Sequence, residues 1–148
     1  MKKALPLMLA FLLLTSCAPK SAPEYRPADV VTALTESAAF SEKLEPLDQD
    51  VFCGLYGLDA ATLVEGAVYC STGATAEEFA VLKLKDQAAA DSAYQLLKTR
   101  LADQKEANRE YRPQDMPKLE SALVDQRGTT VLLVIANDNS AAQKALAQ

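Results

Sequence analysis

The sequence predicts an α+β fold: a mainly antiparallel four-stranded sheet of two hairpins, with a long helix packed on one face and short flanking helices. Three observations carry this expectation. Residues 63–70 and 77–85 are short runs of strand-forming residues joined by a turn, and residues 122–126 and 129–136 form a second such pair. Between the hairpins, residues 86–112 place apolar side chains at helical spacing. Hairpins pair antiparallel, and helices set apart from the strands in the chain order belong to the α+β arrangement.

The elements follow in order. Residues 18–28 hold Pro19, Pro23 and Pro27, which keep the segment extended, so it reads as a tether reaching roughly 30 Å rather than part of the core. Asp29 can cap a helix whose inward positions are Val30, Val31, Leu34 and Ala38, continued by Phe40 and Leu44 and stopped at Pro46. Asp48 and Gly57 bracket a second short helix over residues 49–56. The strand over residues 63–70 turns at Ser71 to Ala74, where Gly73 can take positive φ. In the strand that follows, Phe79 and Val81 share one face, and Ala80, Leu82 and Leu84 the other.

The long helix buries Ala90, Ala93, Tyr94, Leu97 and Leu101. Its second half, Asp103 to Glu110, is nearly all polar and should project past the sheet or face solvent. Pro113 ends it. Arg127-Gly128 turns the second hairpin, whose run Val131-Leu132-Leu133-Val134-Ile135 suits the middle of a sheet. Asn137, Asp138 or Asn139 can cap a last short helix ending near Leu146.

The start of the chain has a different logic. Lys2 and Lys3 precede an apolar run to Leu14, and small residues follow, which is the order of an export signal. The run is interrupted by Pro6 and falls short of the ~20 apolar residues that span a bilayer. Leu14-Thr15-Ser16-Cys17 resembles the lipobox of bacterial lipoproteins. The resemblance implies removal of residues 1–16, acylation of Cys17, a lipidated tether over residues 17–28 and a single domain over residues 29–148. It also implies a chain held to the cell membrane on its extracytoplasmic face, with the bilayer as a partner. Two acyl chains anchor firmly where one does not.

Composition narrows function. Removing residues 1–16 takes away Lys2 and Lys3 and no acid, so a net charge of −5 becomes −7. An acidic chain without a basic cluster is unsuited to nucleic acid, whose binding rests on phosphate neutralisation. There is no histidine, the commonest general base and metal ligand, and no tryptophan. Two cysteines remain beyond Cys17. In an exported chain Cys53 and Cys70 can form a disulfide, closing a loop of about 17 residues and contributing roughly 3 kcal/mol. Two small buried thiols are the alternative, and nothing accompanies them to complete a metal site. No cofactor motif is present, and the five glycines are scattered singly.

Candidate sites are few. Asp48-Gln49-Asp50 opens like a calcium loop but lacks its central glycine. Ser37, Ser41 and Lys43 sit in no nucleophile motif. Glu77 and Glu78 are adjacent in a strand, so they point to opposite faces, and Glu78 is the one expected to turn inward to a functional surface. Arg109, Tyr111 and Arg112 cluster where the long helix ends and, with Glu78, form the expected binding surface. No catalytic residue is assigned. A non-catalytic module binding a protein, peptide or envelope component is the favoured reading. A small carboxylate-dependent hydrolase or transferase is the alternative.

Several stretches together resemble a set of small lipoproteins of Gram-positive bacteria that share a domain of unknown function. They are Leu55-Tyr56-Gly57-Leu58-Asp59, Ala76-Glu77-Glu78-Phe79-Ala80-Val81, the helix end Tyr111-Arg112-Pro113, and Gly128 before an apolar strand. The resemblance covers roughly residues 30–146. It implies location and lineage, not chemistry.

Overall fold

The structure, a computed structural model, describes residues 22–147. The export signal and Cys17 lie outside them. Five strands form one antiparallel sheet in the order β1-β2-β3-β5-β4: Glu45–Pro46 (β1), Leu63–Cys70 (β2), Glu78–Leu84 (β3), Leu123–Arg127 (β4) and Thr130–Ile135 (β5). The helices are Pro27–Thr35 (α1), Gln49–Tyr56 (α2), Gln87–Tyr111 (α3), Met116–Glu120 (α4) and Asn139–Ala145 (α5). Both expected hairpins are present.

The fifth strand, β1, corrects the expectation of four. It is two residues long and contains Pro46, which has no N–H to give and is tolerated only at an edge. Leu47 extends the contact by donating its N–H to the Val68 carbonyl at 2.9 Å. Nothing so short is visible as a strand in sequence.

Helices cover both faces of the sheet, not one. On one face Ala80, Leu82, Leu84, Val131, Leu133 and Ile135 pack against α2, α3 and α4. On the other, Phe79, Val81, Leu132 and Val134 pack against α1 and α5. The cause is legible in β3 and β5, which are apolar at successive positions and so present two greasy faces, each of which must be removed from water.

Asp86 caps α3 by accepting from the Ala89 N–H at 2.8 Å, and Ala90, Ala93 and Leu97 are fully buried beneath the helix. Tyr94 and Leu101 are partly buried at the same interface. Gly57 ends α2 in the left-handed region at φ +68°, and Gly73 takes φ +112° in the turn after β2.

Two expectations at the start of the domain need correction. The first helix does not run to Pro46. It starts at Pro27, with Asp29 inside its first turn, and stops at Thr35, where Thr35 Oγ1 and Ser37 Oγ bond the Val31 and Leu34 carbonyls, both at 2.7 Å. The following chain is irregular, yet Ala39 and Leu44 are buried.

Nor are residues 24–28 a free tether. Tyr25 is buried, its N–H donates to Thr130 Oγ1 at 2.9 Å and its hydroxyl to Asp125 Oδ2 at 2.5 Å. Arg127 stacks over its ring at 4.1 Å. Glu24 accepts from the Thr129 N–H at 2.6 Å and from its hydroxyl at 2.8 Å. Pro27 opens α1 rather than extending the chain, and the extended residues before it dock rather than dangle.

Candidate functional site

The candidate site begins with two adjacent glutamates at the start of β3. The strand alternates faces, so Glu77 and Glu78 leave the sheet on opposite sides, and both are almost fully buried, at 1% and 2% exposure. A buried carboxylate needs a cation and hydrogen bonds. Glu78 has both. Arg100 of α3 holds it through Nη2 at 2.7 Å and Nε at 3.2 Å, and the Tyr56 hydroxyl of α2 donates to its Oε1. Burial opposes the charge on Arg100, but the hydrogen bonds and charge of Glu78 outweigh it and raise the Arg100 pKa. Burial, then the Glu78 charge, raises the Tyr56 hydroxyl and keeps it a donor.

Glu77 is held from the other side. Lys118 of α4 reaches Oε1 at 2.8 Å, and the Ser41 N–H donates to Oε2 at 2.8 Å. Lys118 also contacts Asp115 at 3.3 Å, and Asp115 in turn accepts the Ala76 N–H at 2.9 Å. Burial opposes the Lys118 charge, and Glu77 with Asp115 overcomes it, raising the pKa. This network fastens the turn after β2 to the segment that follows α3.

Between that turn and the second half of α3 lies a cleft of about 280 Å³. Its helical wall carries Arg100, Gln104, Asn108 and Arg112, and its opposite wall Cys70, Ser71 and Thr75. The four helix-side residues recur every fourth position, so they stand in one row along α3 and its C-cap. The Asn108 amide nitrogen donates to the Gln104 carbonyl at 2.8 Å and to Gln104 Oε1 at 3.0 Å, which orders the middle of the row. Tyr111 stands at the rim, 79% exposed, with the Arg112 guanidinium 5.3 Å from its ring centre.

Of the residues expected to form a binding surface, the structure brings Glu78, Tyr111 and Arg112 to this cleft. Arg109 does not join them. It is exposed on another face of the helix and pairs weakly with Glu106 at 3.8 Å. Cys53 and Cys70 are free thiols, so the bridge considered for them is absent. Burial, followed by the Glu78 charge, pushes the Cys70 thiol up to about 12, which disfavours its thiolate form. Ser41 turns out to serve Glu77, while Lys43 is exposed and pairs with Glu45 at 3.3 Å.

Sequence reading missed Tyr56, Arg100, Gln104 and Asn108. The available signal was the four-residue recurrence of polar side chains in the part of α3 that carries no apolar stripe. Among the described residues, no three His, Cys, Asp or Glu side chains gather to hold a metal ion, and no helix is long and apolar enough to cross a membrane.

Fold and site together define a small mixed α/β domain with a polar cleft at one end of its sheet. Residues 36–136 match a domain of unknown function, DUF4358, and the chain belongs to that family. No curated protein and no solved structure shows a significant match to the chain.

Proposed function

We propose that this chain is a lipid-anchored extracytoplasmic binding module of the cell envelope that seats a partner in the cleft beside α3. One observation carries the binding reading. Both buried glutamates at the cleft are already engaged by cations, and what lines the cleft is a row of hydrogen-bonding side chains with the exposed Tyr111 at its rim. Carboxylate-dependent hydrolysis needs two acids facing one substrate. Glu77 and Glu78 face away from each other, each bound to its own cation. The anchor is argued from Cys17 and the short apolar run before it.

The test is photo-crosslinking in intact cells, with the crosslinker at Tyr111 or, as a control, at Lys85 beyond the other end of β3. A discrete adduct from position 111 and none from position 85 is expected. Mass spectrometry of the same purified chain should find an acylated N-terminal Cys17. Equal adducts from both positions would overturn the site, and an unacylated mature chain would overturn the anchor.

A further inference from the structure

The row along α3 leaves specific groups unused. Arg100 spends Nε and Nη2 on Glu78, while Nη1 has no partner among the described residues. No buried side-chain nitrogen or oxygen among them lacks a partner, so Nη1 must reach the surface, and Arg100 lines the cleft. The Asn108 amide nitrogen is committed to Gln104, which leaves Asn108 Oδ1 as an acceptor and Gln104 Nε2 as a donor. Arg112, half-buried at the end of the row, has no acidic partner among the described residues. From one end to the other the row reads cation, donor, acceptor, cation.

We propose that the cleft binds an extended acidic peptide segment. This rests on the reading of the cleft as the partner site. An amide donor and an amide acceptor match the C=O and N–H of an extended main chain, and the flanking guanidinium groups match carboxylates, Arg112 through a planar fork and Arg100 through the Nη1 that Glu78 leaves free. Positions 100 and 112 lie about 18 Å apart along a helix, the length of about five extended residues. The cleft is small, at about 280 Å³, so it suits such a chain with small or acidic side chains rather than bulky ones. A single phosphate fits less well, because it would leave the amide groups of Gln104 and Asn108 and the second guanidinium at the far end of the row unused. The body of the protein is acidic, with a net charge of −5, so attraction of an acidic segment has to be local.

The experiment titrates the full chain in detergent with acetylated pentaglutamate, with pentaglutamine and with inorganic phosphate. Pentaglutamate should bind and pentaglutamine should not. Arg112→Gln should weaken binding at least about tenfold, the loss of a charge-assisted hydrogen-bonded contact. Arg112→Lys should retain part of it, and Arg109→Gln, outside the cleft, should change it less than about twofold. Equal losses in Arg112→Gln and Arg109→Gln would reduce the effect to diffuse helix charge and overturn the proposal. Phosphate binding as tight as pentaglutamate would overturn it in favour of a small oxyanion. If no probe binds while Arg112→Gln still abolishes the adduct from position 111, the cleft stands as partner site and the acidic peptide fails. If the adduct also persists in Arg112→Gln, both fail.

Discussion

Glu78 is almost fully buried, and Arg100 supplies the cation and Tyr56 a hydroxyl that its side chain needs within the α2, β3 and α3 layer. Removing the cation alone strands a carboxylate in an apolar setting. Arg100→Ala should therefore cost about 3–5 kcal/mol in a denaturant titration. Adding Glu78→Gln to it should recover part of that loss, because the stranded group is then neutral. A double variant no better than the single one would show that Arg100 acts by packing, through its alkyl stem. Adjacency in a strand placed the two acids on opposite faces, but it did not show that both would be buried. Their partners could not be read. Arg100 is 22 positions away from Glu78 in sequence, and only the return of α3 across the sheet brings it back.

At the scale of elements, α3 is the clearest case. Leu97 has no exposed surface and sits among the sheet residues of the face it covers. Leu97→Asp would bury an unpaired charge and should leave no cooperative melting transition. A transition within a few degrees of the parent chain would mean that α3 rests on the sheet through another stripe. Patterns with many periods, such as α3 and the two hairpins, were legible within a residue or two at each end. What escaped sequence reading lacked a period. β1 has two residues and a proline. The end of α1 was decided by hydroxyl bonds of Thr35 and Ser37 to carbonyls, against an apolar pattern that continues past them. The helices on the second face were foreshadowed by the unbroken apolar character of β5, which marks a strand covered on both sides, but composition alone does not say which helices do the covering.

The whole molecule has two poles, set by the register of the sheet. Glu78 pairs with Ile135 at one end of β3, and Lys83 pairs with Thr130 at the other. The cleft opens at the Glu78 end. The chain joins the domain at the Thr130 end, where Glu24 and Tyr25 are fastened to the hairpin of β4 and β5. The five residue steps between these pairs put the poles at least about 17 Å apart, and the overhang of α3 beyond Arg100 adds to it. Under the proposed anchoring at Cys17, this arrangement would turn the cleft away from the bilayer and toward whatever lies beyond the membrane. Spin labels attached at positions 111 and 126 of the chain in vesicles should then respond differently to a relaxing agent carried on the lipid headgroups. The label at 126, beside the clamped segment, should be relaxed strongly and the label at 111 weakly. Tyr25→Ala removes the buried ring and both of its side-chain partners while leaving the cleft untouched, so it should narrow the difference between the two labels as the domain loses its fixed attachment. Equal relaxation at both positions in the parent chain would show that the clamp does not orient the domain, and that the cleft is presented sideways or toward the membrane.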